Sequence, residues 1–265
     1  MVKESTNHLL TDVKDGILNL TLNRPDSLNA FSPEMIAELK KEIEKASNDE
    51  NIRVVTLAGA GRSFSAGGDV NTMGLVDSLG TYQHIGELNE LILSIKSLEK
   101  PVIACVHGFA AGAGFNLALA CDIILAAEES KFAMSFSQVG LVSDGGGSYF
   151  LPKLIGPYLA KELLFSAEPI SADKAHSLGI VNHIYSVSDF EKECFKFVRN
   201  IANGPSTTFG FIKKLIDQSL NSNLETILEQ ERITQATLIS TEDHHEGVQA
   251  FKEKRKPNFR KFDKK

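Results

Sequence analysis

The chain of 265 residues lacks the features that mark several classes of protein. It contains no tryptophan and only three cysteines, which have no paired spacing, so we predict neither a disulfide framework nor a metal site. No apolar run approaches the length of a membrane span, and the first residues include no apolar segment typical of a signal peptide. These absences predict a cytoplasmic protein without membrane contact, whose thiols are reduced and mostly buried.

Charge and glycine spacing disfavour two kinds of ligand. The net charge is −6 and only the C-terminal end is basic, which argues against nucleic acid as a partner. The glycines of Gly108-Phe-Ala-Ala-Gly-Ala-Gly114 do not continue as a dinucleotide-binding pattern, because Leu117 occupies the place of the last glycine. No Gly-Lys-Ser or Gly-Lys-Thr sequence follows, as a phosphate-binding loop requires. A nucleotide-binding fold is therefore not expected.

The hydrophobic pattern predicts an α/β core followed by a helical C-terminal region. Residues 1–203 are expected to form the core, and residues 204–265 a region whose amphipathic helices pack on that core or on another subunit. The predicted strands are 9–13, 17–22, 52–58, 102–106 and 122–126. The predicted helices include one starting at Pro33 and the segments 87–98, 113–120, 148–155, 190–202, 207–220, 224–240 and 242–254.

Two turns built from small residues are the most informative motifs. Phe64-Ser-Ala-Gly-Gly-Asp69 follows one predicted buried strand, and the Gly108 segment follows another and leads into a helix. Small residues let another molecule approach the backbone, and the first N–H groups of a helix have no partner within it. Two such turns facing one point would direct two N–H donors at a single oxygen. This arrangement is an oxyanion hole, and it indicates chemistry on a carbonyl group.

Over nearly its whole length the chain resembles the crotonase family of enoyl-CoA hydratases and isomerases. Both turns belong to this resemblance, and the order and number of further matching segments strengthen it. These segments are Leu22-Asn-Arg-Pro25 with Asn29-Ala30, Lys100-Pro-Val-Ile-Ala104, Cys121-Asp-Ile-Ile124, Gly140-Leu-Val-Ser-Asp-Gly-Gly-Gly147, Ser171-Ala-Asp-Lys-Ala175 with Leu178-Gly-Ile-Val181, and the tail 251–259.

The resemblance implies a ββα superhelical spiral with C-terminal helical segments, assembled as a homotrimer or a dimer of trimers. It implies an acyl-CoA thioester as the substrate, so coenzyme A arrives with the substrate and no separate cofactor is expected. Family members stabilise an enolate with two backbone N–H groups, which by position are those of Gly68 and Ala113. The residues that the resemblance places near the substrate are Arg24, Ala66, Gly67, Asp69, Val70, Asn71, Asn116 and Phe136.

The side chains at the expected reaction centre depart from the hydratase pattern. Hydratases of this family carry glutamates at the positions of Asn116 and Phe136, and neither residue here can titrate. Hydration by two carboxylates is therefore disfavoured. Asp144 matches an aspartate of the ring-enoyl-CoA isomerases of phenylacetate breakdown and of the 4-chlorobenzoyl-CoA dehalogenases. One carboxylate suffices for a 1,3-proton shift, and the apolar neighbours Phe136 and Leu141 are expected to raise its pKa.

Several alternatives remain open from the sequence alone. Asp144 before a glycine run also suits a turn, or the N-cap of the helix predicted at 148–155. Dehalogenation is the weaker assignment, since that group has a tryptophan at position 136 and a histidine near the 87–98 helix, whereas His84 is predicted to lie in a loop. A hydratase with atypical catalytic groups, a non-catalytic CoA-binding relative and an RNA-binding relative are the other candidates.

Overall fold

The computed structural model describes residues 7–69 and 76–262, and within them the strands form two sheets. The strands of the larger sheet, in spatial order, are β1 (Leu9–Lys14), β2 (Ile17–Leu22), β3 (Val54–Gly59), β4 (Val102–Val106), β6 (Ile123–Ala127) and β9 (His183–Tyr185). The smaller sheet comprises β5 (Phe109–Ala111), β7 (Lys131–Ala133) and β8 (Ile170–Ser171). All neighbours in the larger sheet are parallel except β1 and β2, which form the predicted hairpin.

Helices connect and follow these strands, and most begin and end within two residues of their predicted bounds. In chain order they are α1 (Pro33–Asn48), α2 (Ser78–Ser97), α3 (Ala113–Ala120), α4 (Gly147–Ile155), α5 (Pro157–Ser166), α6 (Ala172–Ser177), α7 (Phe190–Ala202), α8 (Ser206–Ser219), α9 (Leu224–Leu238) and α10 (Glu242–Lys252). Short 3₁₀ helices occur at Pro25–Ser27, Ser135–Val139 and Phe259–Phe262.

Helix α1 follows directly from its sequence. The Ser32 hydroxyl accepts a hydrogen bond from the Met35 N–H at 3.2 Å, and Pro33 occupies the first helical position, where no N–H is needed. Its predicted apolar stripe is buried against the core. The stripe consists of Met35, Ile36, Leu39, Ile43 and Ala46.

Helix α2 begins nine residues before its predicted start. Asp77 caps it by accepting a hydrogen bond from the Gly80 N–H at 2.8 Å. The segment 78–86 was missed because it contains two glycines and buries little apolar surface, with Tyr82 79% exposed. The prediction of a loop at His84 was therefore wrong, because His84 lies within α2.

The central strands of the larger sheet are buried on both faces, as is typical of parallel sheets, whereas the edge strand β1 is mostly exposed. Along β4, Val102, Ala104 and Val106 pack into the main core together with α1 and α2. The intervening Ile103 and Cys105 pack on the opposite face against α7. The three cysteines are free and buried, which confirms the prediction for the thiols.

Two buried cations attach the start of the C-terminal region to the core. The Arg53 guanidinium donates to the carbonyl oxygens of Ala202 and Gly204 at 2.7 and 2.6 Å. The Lys213 ammonium on α8 lies 2.9 Å from the Asp122 carboxylate and also donates to the Ile95 carbonyl oxygen at 2.9 Å. Burial nonetheless raises the pKa of Asp122 above its ordinary value. None of the helices in the described segments has the length and apolar character needed to cross a membrane.

Candidate active site

The two small-residue turns lie against each other. The Ala111 N–H donates to the Ser65 carbonyl oxygen at 2.9 Å, and the Ser65 N–H donates to the Phe109 carbonyl oxygen at 3.0 Å. At Gly67, where φ is +86°, a Cβ atom would lie 2.5 Å from the Ala111 carbonyl oxygen and 2.8 Å from the Ala113 nitrogen. Only glycine fits this approach, so Gly67 brings the first turn into contact with the start of α3.

The predicted oxyanion donors lie on these adjoining turns. Ala113 is the first residue of α3, where an N–H has no acceptor within the helix, and the positive end of the helix dipole lies there. Gly68 follows Gly67, whose carbonyl oxygen accepts a hydrogen bond from the Phe31 N–H at 2.7 Å. Within residues 7–69 and 76–262, neither the Gly68 N–H nor the Ala113 N–H donates a hydrogen bond. Both are therefore free to bind a ligand oxygen.

Asp144 lies in the turn that leads into α4. Helix α4 begins at Gly147 with Gly146 at its N-cap position, and no side chain caps it, so the alternative of Asp144 as the N-cap is wrong. Among the described residues, the Asp144 Oδ1 atom is buried without a hydrogen-bond partner. Burial raises the pKa of the Asp144 carboxyl from 3.8 to about 6, because an apolar environment disfavours its charged form. A carboxyl with this pKa can exchange protons near neutral pH.

Asn116 connects the two parts of the site. It is fully buried on α3, three residues after Ala113, and its Nδ2 atom donates to the Asp144 carbonyl oxygen at 2.7 Å. The same atom donates to the Ser143 Oγ atom at 2.9 Å. Three residues of an α-helix span about 4.5 Å, so one short helix carries both an oxyanion donor and a contact to the Asp144 turn.

Phe136 lies beside the oxyanion turn. Its ring Cζ atom is 3.7 Å from the position that a Cβ atom of Gly112 would occupy. The ring is partly buried against the main core. Since a phenyl group neither titrates nor forms strong hydrogen bonds, Phe136 gives this part of the site an apolar wall.

The other residues predicted near the substrate lie around the first turn. The Arg24 guanidinium forms an ion pair with the Asp69 carboxylate at 3.0 Å and donates to the Ala30 carbonyl oxygen at 2.7 Å. The Ala66 N–H donates to the Leu28 carbonyl oxygen at 2.9 Å, which fixes the start of the turn. Val70 and Asn71 lie outside the described residues.

Cavity size alone does not locate this site. A cavity of about 1080 Å³ lies between α2, α4 and α8, where Gly146 forms part of its wall. Its lining in the described part of the chain includes none of Asp144, Gly68 and Ala113. The chemistry of the side chains and of the free N–H groups, rather than volume, therefore identifies the candidate site.

Comparison with known proteins agrees with this geometry. The model of the enoyl-CoA hydratase/isomerase family matches residues 12–262. The chain belongs to this family. A structural comparison shows that the fold is that of the crotonase family. An enoyl-CoA hydratase structure from Bacillus anthracis superposes with a TM-score of 0.92 at 30% identity, covering 95% of this chain and 98% of that one.

Relatives within the family carry both kinds of activity in their names. A 1,2-epoxyphenylacetyl-CoA isomerase from Escherichia coli K12 is 38% identical, over 95% of this chain and 97% of its own. A 2,3-dehydroadipyl-CoA hydratase from the same organism is 34% identical, over 95% and 98%. The family thus makes the protein an acyl-CoA-processing enzyme of the hydratase/isomerase type.

Sequence reasoning missed the residues that hold the turns in place. The Ser65 hydroxyl accepts a hydrogen bond from the Gly67 N–H at 3.1 Å and donates to the Asn29 carbonyl oxygen at 2.8 Å. Ser143 receives one of the two Asn116 hydrogen bonds. Both serines stand inside segments that the sequence singles out, but serine is common in exposed turns and its burial is not visible in the pattern.

Proposed function

We propose that the protein is an enoyl-CoA isomerase that shifts a double bond through a thioester enolate. Asp144 is the proton shuttle, and the backbone N–H groups of Gly68 and Ala113 are the oxyanion donors. The observation that carries the proposal is the Asp144 carboxyl, whose Oδ1 atom is buried without a partner and whose pKa is about 6. The hydratase glutamate positions hold Asn116 and Phe136, so this carboxyl is the titratable group proposed for the reaction.

The reaction requires one carboxyl that acts first as a base and then as an acid. The Asp144 carboxylate removes a proton from the carbon α to the thioester of a 3-enoyl-CoA. The electron pair spreads over a dienolate, and the negative charge on the thioester oxygen is stabilised by the two N–H donors. The protonated carboxyl then returns the proton to the γ carbon, which gives the 2-enoyl-CoA and restores the carboxylate. No water is added, so a second carboxylate is not needed.

The test replaces Asp144 with asparagine, which keeps the shape of the side chain but cannot titrate. Wild type and Asp144→Asn are incubated with a panel of 2- and 3-enoyl-CoAs in deuterated water. We expect wild type to exchange protons at the α and γ carbons, and the variant to isomerise ~10²–10⁴-fold more slowly while binding acyl-CoA unchanged. Asp173→Asn on α6, an exposed carboxylate, is the matched control and should keep full activity. An Asp144→Asn enzyme that retains most of its activity would refute the assignment.

The same experiment detects the second candidate, hydration. The support for hydration is that a relative named as a 2,3-dehydroadipyl-CoA hydratase is 34% identical to this chain. A hydratase would convert the 2-enoyl-CoA to a 3-hydroxyacyl-CoA. Accumulation of that product at a rate exceeding isomerisation would replace the proposed reaction with hydration.

Oligomerisation through residues 204–265 is part of the proposal. Several large apolar side chains of this region are exposed in the single chain, among them Ile216 at 59%, Leu228 at 54% and Ile239 at 60%. Covering such surface with a second and third copy would remove it from water. Light scattering should therefore give the mass of a trimer or a dimer of trimers, and a monomer at all concentrations would contradict this.

A further inference from the structure

Both N–H groups of the Asn116 amide bind within the protein, whereas among the described residues its Oδ1 atom is buried without a hydrogen-bond partner. Its Nδ2 group has two hydrogens, and their acceptors are the Asp144 carbonyl oxygen at 2.7 Å and the Ser143 hydroxyl at 2.9 Å. No N–H of this amide is left for a substrate. The side chain nevertheless stands at full burial beside the proposed base, which calls for a role other than direct recognition.

The opposite side of the amide lies against the same turn. A Cβ atom on Gly147 would overlap both the Asn116 Oδ1 atom and the Ser143 Oγ atom. A Cβ atom on Gly145 would lie 3.5 Å from the Asn116 Cβ atom. The small residues of this turn therefore fit around one amide, which touches the turn at its beginning, middle and end.

We propose that Asn116 is a positioning residue that fixes the 143–147 turn and so holds the Oδ1 atom of the Asp144 carboxyl free of hydrogen-bond partners. This inference rests on the proposed function of Asp144. The Asn116 amide binds the backbone carbonyl of Asp144 rather than its carboxylate. Hydrogen bonds to a carboxylate favour its charged form and reduce its basicity, so the choice of the carbonyl keeps the base strong.

The position of Asn116 also links the base to the oxyanion donors. Ala113 and Asn116 are separated by less than one turn of α3, so the helix fixes the distance between the Ala113 N–H and the Asp144 turn. Proton transfer depends steeply on such placement, and a displacement of about 1 Å can reduce the rate ~10²-fold. Loss of the amide should therefore act on the chemical step more than on substrate binding.

The experiment compares Asn116→Ala with wild type in kcat, KM and the pH dependence of kcat/KM. Asn116→Ala frees the turn and admits water to the carboxyl. We expect kcat to fall roughly 10–10²-fold with little change in KM, and the pKa of Asp144 to fall towards its ordinary value. Asn116→Asp has almost the same shape but places a second carboxyl beside the turn. It should also lower kcat, but should raise the apparent pKa, because like charges disfavour ionisation.

Opposite pKa shifts in the two variants distinguish positioning from a purely structural role. Asn182→Ala, which removes an asparagine that accepts a hydrogen bond from the Ile124 N–H at 2.8 Å, is the control and should change neither kcat nor the pH profile. Unchanged kcat and pKa in Asn116→Ala overturn the inference. A fall in kcat explained by loss of folded protein, without any pKa shift, also overturns it. If Asn116→Ala does not fold, Asn116→Asp alone decides, and an unshifted pKa counts against the inference.

Failure of the proposed function gives a different pattern. If Asp144→Asn keeps its activity, Asp144 is not the base, and carbon-13 NMR titration of the Asp144 carboxyl then decides on Asn116 without an activity assay. A lower pKa in Asn116→Ala than in wild type supports the positioning role. An identical pKa in both proteins overturns it.

Discussion

The two halves of the candidate site consist of different kinds of chemical group, backbone N–H donors in one and a side-chain carboxyl in the other. The oxyanion half uses backbone N–H groups, brought together because Gly67 has no side chain and packs against the start of α3. The proposed acid–base half has one carboxyl, that of Asp144, on a turn whose backbone binds the Asn116 amide. Most substitutions leave a backbone donor in place, and only proline removes the N–H itself, whereas many side-chain changes would remove the proposed base.

This difference explains how one fold serves more than one reaction. The proposed backbone donors would stabilise an enolate whichever proton is moved, and the family contains relatives named as isomerases and as hydratases. The reaction is then selected by which side chains surround the enolate. In this chain Asn116 and Phe136 cannot titrate, and Asp144 is the carboxyl proposed to move the proton.

The largest effect is expected from a substitution that displaces the turn carrying the backbone donors. Gly67→Ala places a Cβ atom 2.5 Å from the Ala111 carbonyl oxygen at a φ of +86°. The turn must shift, so we expect kcat to fall roughly 10²–10³-fold, as for loss of an oxyanion donor, and stability to fall by about 2 kcal/mol. Steady-state kinetics and thermal unfolding measure the two effects.

Gly179→Ala separates the strain of a positive φ from loss of the site. Gly179 has a φ of +76°, but a Cβ atom there would meet no atom within 4 Å. This control should lose some stability and keep its kcat. If both variants lose activity equally, the effect of Gly67→Ala does not come from the oxyanion turn.

The side-chain half is tested by pH. Asp144 must be ionised to accept a proton, and burial raises its pKa to about 6. We expect kcat/KM to rise with pH, with a midpoint near that value, and to fall about tenfold for each pH unit below it. A profile that stays flat from pH 5 to 8 would contradict the role of this carboxyl.

The free energy of unfolding should show a smaller dependence on pH, in the opposite direction to kcat/KM. The carboxyl has a higher pKa folded than unfolded, so the folded state binds the proton more tightly and loses stability as pH rises from about 4 to about 6. Asp144→Asn has no such loss. Allowing for partial exposure to water, the variant should be more stable than wild type by about 1–2 kcal/mol above pH 7 and equally stable near pH 3. Chemical denaturation at several pH values measures this difference, and a variant less stable at pH 7 would count against it.

The sequence predicts the backbone half of the site better than the side-chain half. Glycine runs after buried strands predict a close approach to the backbone, and at Gly67 the backbone of the second turn makes that approach. Strands β2 and β4 begin and end at their predicted residues, because apolar periodicity reports burial directly. The start of α2 was missed because its first turns pack against little.

The role of Asn116 was not visible in the sequence for a related reason. A pattern shows that Asn116 cannot titrate, but its partners lie 27 and 28 residues away, at Ser143 and Asp144. Hydrogen bonds over such separations depend on the tertiary structure. The sequence also does not show that the Asp144 Oδ1 atom is buried without a partner in the described part of the chain. An aspartate before a glycine run is equally suited to capping a helix.

The smallest expected effect concerns the ion pair that supports the backbone half. Arg24 and Asp69 lie 3.0 Å apart with side chains 21% and 10% exposed, and Asp69 directly follows Gly68. Asp69→Asn keeps an acceptor for the Arg24 guanidinium but removes the charge, so the turn keeps its shape and loses some rigidity. We expect kcat to fall by no more than about fivefold, equivalent to about 1 kcal/mol, and wild type to approach the variant as salt is added. A loss as large as that of Gly67→Ala would mean that the ion pair, rather than the absence of a side chain at Gly67, holds the oxyanion donors in place.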